Sequence, residues 1–391
     1  MRVLLLTTSF PVKEGSSSGV FVERLAQRLG RNCQLTVLAP ASDIPFKKSN
    51  NKPYVLFAFK YAPMKWQILA HKGGGIPATL AAYPFTLLLL PFFLVSMFVN
   101  CLRHAGKADI IFANWSICGV IAGFVGCVLG RPVITTIRGE DGNRTQVSRV
   151  HRTLINLCFR LNERVVTVSD DIATGLLKVF PTMASKIVMI PNGVDFIPKM
   201  EKHEKSNEDG KIRLLIVGSL ISRKSVSTAL HALSLLPPKF ALTIIGDGPE
   251  RANLQSLVTD LSLEGRIDFE GHVPPDEVSL WFAQADVLLI TSKSEGRPNV
   301  VLEAFAAGVP VVGTDIPGLR ELVIPDASGM LFPFGNYEAL AACLLMLANR
   351  EMRLRLGDGG RQFIIEHGLT WENTADRYMR EFRQFCNNEK A

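Results

Sequence analysis

The sequence predicts two α/β domains, each built on a doubly wound parallel sheet. Three observations carry this reading. A chain of 391 residues is too long for one compact core and suits two of roughly 200 residues. Short apolar runs ending in glycine, proline or polar residues alternate with stretches of helical periodicity. The pattern breaks at residues 198–210, where seven residues are charged, and then starts again. A hydrophobic content of 47% with 20% charged residues fits two packed cores.

Residues 3–8 form the first apolar run. Only about five residues are apolar and no small-residue cleavage site follows closely, so a buried strand is expected rather than a signal peptide. A glycine-serine loop, residues 15–19, comes next. Residues 21–29 then show helical periodicity and are expected to stop at Gly30. Further strands are expected at 34–39, 109–113, 133–137, 164–168 and 187–190. The second half repeats the scheme with strands at 213–217, 242–245, 267–269, 286–291 and 310–312. Glycine loops at the carboxyl ends of such strands gather binding groups on one side of each sheet, and two such Rossmann-like domains face to face would enclose a cleft. The expected division is 1–196, a linker at 197–210, a second domain at 211–367, and a closing helix at 368–391.

The apolar stretch 87–99, broken only by Pro91 and Ser96, approaches membrane-span length when extended back to Ile76. A span would leave the flanking strands of one sheet on opposite sides of the membrane. Two readings stay open: a buried or cleft-lining helix, and a helix lying in a membrane interface.

Charge is uneven. Residues 1–195 hold 22 Lys and Arg against 10 Asp and Glu, whereas residues 196–391 hold 21 against 26. The basic first half suits an anionic acceptor or an anionic membrane surface; no nucleic-acid-binding module accompanies it. Seven scattered cysteines without a C-x-x-C pair argue against a disulfide framework or a structural zinc site. No D-x-D pair or histidine spacing suggests a metal site, so no metal and no cofactor is expected.

Residues 292–303, S-K-S-E-G-R-P-N-V-V-L-E, carry the most chemistry. A strand ends at Thr291, and proline suits the first helical turn, so a helix is expected near Pro298. The unpaired N–H groups around residues 297–300, those of Arg297, Asn299 and Val300 beside Gly296 and Pro298, would then present a phosphate site at the positive helix end. Glu303 lies one turn beyond Asn299 and could accept from ribose hydroxyls, with Glu295 accepting from a sugar. The alternative is that Glu303 caps the helix and Glu295 is solvated.

This segment, S-E-G-x-P-N-x-x-x-E-A, resembles the E-x7-E motif of the retaining glycosyltransferases of family four, which have the GT-B fold. The likeness runs through Gly19-Val20-Phe21-Val22, Val168-Ser169-Asp170, residues 191–195, 218–224 and 246–250, Gly271-His272-Val273-Pro274, residues 310–321, and the final helix from Trp371 to Tyr378. The resemblance implies that Glu303 binds the ribose and Glu295 the donor sugar. Arg223 and Lys224, after the Gly218 loop, would hold the diphosphate, and two fixed cations there offset charge on a leaving nucleotide. Gly19 would let backbone approach the same phosphates, and His272 and Val273 would contact the base.

Four departures qualify the likeness. Ser219 stands where many members carry arginine, a role Arg223 is expected to take. Ser225 replaces the usual glycine. Arg138 replaces a histidine often near the reacting centre in a T-x-H-G-x-D segment; it cannot act as a general base but can bind an anionic acceptor or phosphate. Asn114 stands at a strand end where histidines are common. Asp141 has two readings, acceptor contact and loop capping.

The resemblance therefore implies metal-independent, retaining transfer of a hexosyl-type unit from a UDP- or GDP-sugar, with no protein nucleophile. The acceptor would be a glycan or lipid-linked saccharide in surface polysaccharide synthesis. The expected location is cytoplasmic, at the inner face of the membrane. A sugar-nucleotide epimerase of the same fold and a non-enzymatic partner subunit that binds the donor are the rivals. Acid/base residues in the first domain would mark the epimerase, and lack of donor turnover the subunit.

Overall fold

The computed structural model describes residues 1–12, 19–43, 51–71, 75–145, 148–195 and 210–387. They form two compact units, Met1–Asn192 with Trp371–Ala391, and Gly193–Thr370. The expected linker lies, apart from Gly210, outside the described residues, as do residues 15–18 of the first loop. Residues 193–195, expected in the first domain, belong to the second unit. There Val194 bridges to Thr370 and its N–H donates to the Leu369 carbonyl at 3.0 Å.

The first unit contains seven parallel strands: β1 (Arg2–Leu6), β2 (Gln34–Pro40), β3 (Tyr54–Phe59), β4 (Ile110–Asn114), β5 (Val133–Ile137), β6 (Arg164–Thr167) and β7 (Ile187–Met189). Their order is β3-β2-β1-β4-β5-β6-β7, so the winding reverses between β1 and β4. All five residues of β4 and of β5 are buried, as expected for parallel strands covered on both faces. The second unit orders β8 (Ile212–Val217), β9 (Phe240–Ile245), β10 (Ile267–Gly271), β11 (Val287–Ile290), β12 (Val311–Thr314) and β13 (Gly329–Phe332) as β10-β9-β8-β11-β12-β13, again all parallel. Its winding reverses between β8 and β11, which brings the ends of those two strands side by side.

Several expectations need correction. Strands β3 and β13 were not foreseen. Among the described residues β3 pairs with β2 alone and leaves Val55 and Phe57 exposed; β13 is a four-residue run that starts on glycine. Gly30 does not end the first helix, which runs Val20–Asn32. A Cβ at position 30 would lie 2.1 Å from the Pro53 carbonyl oxygen, so this glycine permits a close approach rather than a stop.

The apolar stretch is a 3₁₀ segment, Pro84–Leu89, followed by the helix Leu90–Ala105. Phe93, Met97, Cys101 and Ala105, four residues apart, form the buried face and pack in one core with β1 and β4 side chains. Phe92 and Val95 are exposed, so the helix is buried along one face only.

The terminal helix, Trp371–Asn387, packs into the core of the first unit beside Val22, Leu25 and Leu29 of the first helix. Tyr378 and Phe382 meet the Phe112 ring of β4 at 4.8 and 5.4 Å. Burying each such aromatic contributes about 1.5–3 kcal/mol, which ties the chain's far end to the first sheet.

Candidate functional site

In the second unit the adjacency of β8 and β11 brings two loops together. The loop after β8 holds Gly218 and then a single 3₁₀ turn, Ser222–Lys224. The loop after β11 holds Glu295. Lys293 N–H donates to the Arg223 carbonyl at 2.9 Å, and Thr291 Oγ1 to the Lys224 carbonyl at 2.8 Å. From β12, Thr314 Oγ1 donates to the Ser292 carbonyl at 2.7 Å. These bonds hold the two loops in register before any ligand arrives.

Three predicted residues meet on this frame. Lys224 Nζ donates to Glu295 Oε1 at 2.6 Å, and Arg223 Nη1 lies 3.5 Å from Glu295 Oε2. Arg223 Nη1 also donates to the Ser294 carbonyl at 2.5 Å. Lys224 passes close to Gly218, where an added Cβ would lie 3.6 Å from Lys224 Cε. Glu295 is not a solvated loop acid: its side chain is 9% exposed. Burial is the largest influence on its carboxyl and raises its pKa. The Lys224 charge and hydrogen bond, with further help from Ser292 and Arg223, outweigh burial and hold the pKa below the usual 4.5. The cluster therefore carries two cations against one carboxylate, a net positive charge suited to an anionic ligand.

The depressed carboxyl has a consequence for stability. A lowered folded-state pKa contributes stability that is fully present above the unfolded value and is lost as pH falls through the folded one. The melting temperature of wild type, relative to Glu295→Gln, is expected to be constant above about pH 5 and to decline below it. Thermal melts of both proteins across that range check this; a difference independent of pH would mean that Glu295 is not an ion-pair partner.

The helix expected near Pro298 runs Asn299–Ala306, with Pro298 as its N-cap and Glu303 one turn after Asn299. Glu303 and Val300 are half-buried. The Arg297 guanidinium turns to Glu321 at 3.1 Å, so only its backbone remains for the role proposed from sequence. His272 is exposed just after β10 and Val273 packs against the core. Gly246 N–H donates to the Gly271 carbonyl at 2.7 Å and joins that strand end to the neighbouring loop. Ser225 adopts the left-handed conformation (φ 46°, ψ 45°), which accounts for the glycine usual at this position.

Sequence reasoning missed Gly318, in the short helix Pro317–Arg320. A Cβ there would lie 2.4 Å from the Glu295 carbonyl oxygen and 2.5 Å from that of Gly296. Nothing local to residue 318 signals this contact.

In the first unit, Arg138 follows β5 and is fully buried. Its Nε and Nη2 donate to Asn114 Oδ1 at 3.1 and 3.0 Å, and Nη1 donates to Asn192 Oδ1 at 2.9 Å. Its guanidinium lies 4.5 Å from the Phe21 ring centroid. These partners are neutral, and burial lowers its pKa to about 10, so it stays charged at neutral pH. Tyr378 of the terminal helix hydrogen-bonds Thr136, two residues before Arg138, at 2.8 Å. Trp115, between Asn114 and the helix Ser116–Leu129, has φ 79°, a conformation rare for a bulky residue. Asp141 accepts from Ser116 N–H at 2.7 Å, the capping alternative for that residue. Gly19 caps the first helix in the left-handed region, φ 72°, with its Cβ direction blocked 2.3 Å away by the Ser9 carbonyl oxygen.

Comparison with known proteins bears on both units. A family model described as Glycosyltransferase Family 4 matches residues 18–196, and one described as Glycosyl transferases group 1 matches residues 198–363. The amylovoran biosynthesis glycosyltransferase AmsK of Erwinia amylovora is 30% identical over 258 residues, 62% of this chain and 62% of that protein. The matched stretch thus spans under two thirds of that relative. Among solved structures, sucrose-phosphate synthase from Thermosynechococcus elongatus is similar with a TM-score of 0.80 at 20% identity, covering 98% of each chain. Anabaena HepE in complex with UDP-glucose is similar with a TM-score of 0.77 at 18% identity, covering 98% of this chain and 100% of that one. These likenesses show the GT-B fold.

Proposed function

Since the chain belongs to the group 1, family 4 glycosyltransferases, we propose that it transfers a sugar from a UDP- or GDP-sugar, with retention of configuration, to a glycan or lipid-linked saccharide in surface polysaccharide synthesis. The observation that carries the reading is the Arg223–Lys224–Glu295 cluster, two cations fixed at the carboxyl ends of adjacent strands before a ligand is bound. UDP-glucose in the HepE neighbour and polysaccharide synthesis in the AmsK relative favour a nucleotide-sugar donor and a glycan acceptor.

The proposed chemistry uses what the second unit supplies. The donor diphosphate is held by Arg223 and Lys224 and by the amides opening the helix Asn299–Ala306; Glu303 takes the ribose hydroxyls. As the glycosidic bond to the nucleotide breaks, negative charge grows on the leaving phosphate, and the two cations stabilise it without reorganising. The acceptor attacks the face the nucleotide leaves, and the donor phosphate takes the acceptor proton. Glu295 keeps the Lys224 ammonium in place and accepts from sugar hydroxyls. No metal ion or cofactor enters this scheme. Arg138, charged and held among the described residues by neutral groups, suits an anionic group on the acceptor. The reaction is placed in the cytoplasm, at the inner face of the membrane.

A thermal-shift panel of UDP, GDP, ADP and their sugar conjugates tests the reading. A ligand at 100 times its dissociation constant stabilises the native state by about 2.7 kcal/mol. One nucleotide series is expected to raise the melting temperature, after which proton NMR of the product reads its anomeric configuration. Folded protein that responds to no nucleotide would sink the transferase reading, and an inverted product would sink retention.

A further inference from the structure

We infer that residues 64–66 and 83–95 of the first unit form a docking surface for an anionic lipid bilayer, with their aromatic and aliphatic side chains entering the interfacial layer. The proposal deepens the reading above by naming the surface at which a lipid-linked acceptor is met, and rests on it for that acceptor alone.

The first observation is an inverted helix surface. A surface helix ordinarily turns polar residues outward. Here the inward stripe of Leu90–Ala105 is apolar, and so are the outward residues of its first turns and of the 3₁₀ segment before it: Leu88 is 77% exposed, Phe92 65% and Val95 63%. Within the combined helical stretch Pro84–Ala105, the most apolar 18-residue window has a mean hydropathy of 2.2 and is only 22% buried. The stretch is long and apolar enough to cross a membrane, yet its inward stripe is locked into the core that contains β1 and β4 side chains. Strands β3 and β4, on either side of it in sequence, belong to one sheet. The segment therefore lies on a bilayer rather than across it.

The second observation is an exposed aromatic cluster beside the helix. Trp66 meets Phe85 edge-on at 6.2 Å, and Tyr83 meets Phe85 at 6.1 Å. All three rings are exposed. Tryptophan and tyrosine, apolar bodies with polar tips, are the side chains that settle at headgroup depth.

Charge complementarity chooses the occupant. Between Asp43 and Asp109 the sequence has eight Lys and Arg and no Asp or Glu. Lys65 is exposed next to Trp66, and Lys60 is exposed where its carbonyl accepts from Ser96 Oγ of the helix at 2.6 Å. Arg103 and Lys107 are exposed at the helix's far end. Cations ringing an apolar patch attract anionic headgroups and let their stems lie along the apolar surface. A second copy of this chain would bring like charges together.

Co-sedimentation of the full chain with phosphatidylcholine vesicles, with and without phosphatidylglycerol, tests the surface. The wild type is expected to sediment with phosphatidylglycerol vesicles, and these should blue-shift the emission of exposed Trp66. The outward variant Leu88→Glu/Phe92→Glu is expected to partition at least about tenfold more weakly. The variant's nucleotide-induced thermal shift, unchanged from wild type, checks that it folds. Wild type that ignores both vesicles, or a variant that sediments equally well, overturns the proposal. Light scattering that shows a dimer without lipid, dispersed by the variant, overturns it in favour of a second copy. A missing nucleotide shift in wild type would count against the transferase reading alone, because vesicle binding does not depend on it.

Discussion

Lys224→Ala is expected to lower turnover about 10²–10³-fold, the size of effect seen when one preorganised donor to a developing oxyanion is removed. Nucleotide affinity should fall about tenfold or more, since charge-assisted hydrogen bonds contribute about 1.5–3 kcal/mol. The ammonium is fixed at 2.6 Å from Glu295, and the loop beneath it is held by the Thr291 hydroxyl on the Lys224 carbonyl, which the substitution leaves intact. The loss should therefore be chemical rather than a collapse of the loop. One complication is the carboxylate left behind: among the described residues Glu295 keeps only Arg223, at 3.5 Å, as a charged partner. Part of any drop in melting temperature belongs to that stranded acid. The double variant Lys224→Ala/Glu295→Gln separates the two effects, because it should recover stability without recovering turnover. Steady-state kinetics on all three proteins decide it. A Lys224→Ala enzyme within about threefold of wild type would remove lysine from the leaving-group role.

The parts of the fold that were legible in the sequence are those governed by neighbours in the chain. β1 and β4 are largely apolar runs because both faces of a parallel strand are covered, and that composition shows without a structure. The helix after Pro298 was legible for a similar reason, since proline and the glycine loop before it are local punctuation. What escaped depends on distant partners. Gly30 and a true helix-stop glycine look alike in sequence; only the Pro53 carbonyl, 23 residues on, distinguishes them. β3 reads Y-V-L-F-A-F, an apolar run like those of β1 and β4, so the strand signal was present in the sequence; its place at the sheet edge, with Val55 and Phe57 exposed, was not.

The candidate site divides the same way. The residue types at 223, 224, 295 and 303 were legible through the family motif. The contact between Lys224 and Glu295 was not, because it spans 71 residues and exists only because β8 and β11 are neighbours. Arg138 was visible as an unusual residue, but its complete burial between Asn114 and Asn192 is a property of the sheet and the loops that follow it. The outward apolar face of Leu90–Ala105 was ambiguous for a related reason. Periodicity cannot say which apolar residues are covered when nearly every position is apolar.

Gly318→Ala should be far more damaging to catalysis than to stability. Alanine is ordinarily better than glycine in a helix, by about 0.5–1 kcal/mol, and residue 318 lies in the short helix Pro317–Arg320 without a positive φ. On local grounds the substitution should stabilise. The added methyl, however, would sit 2.4 and 2.5 Å from the carbonyl oxygens of Glu295 and Gly296, distances that backbone atoms cannot accept. Either the short helix or the Glu295 loop must shift. Thr314 Oγ1 holds the Ser292 carbonyl at the loop's start, so displacement concentrates toward Glu295 and Gly296. A shift of about 1 Å in a positioning group costs roughly 10²-fold in rate, whereas overpacking by one methyl costs about 1–3 kcal/mol. The expected result is a turnover loss near that factor with a modest fall in melting temperature. The acid-side decline in stability attributed to Glu295 should also weaken, because that dependence reads the same Lys224–Glu295 pair. Gly335→Ala is the control: nothing lies within 4 Å of its added methyl, and its φ of 78° makes it costly to stability without touching the loop. Wild-type turnover in Gly318→Ala would mean that the loop carrying Glu295 tolerates displacement, and that Glu295 does not position Lys224 for the transfer.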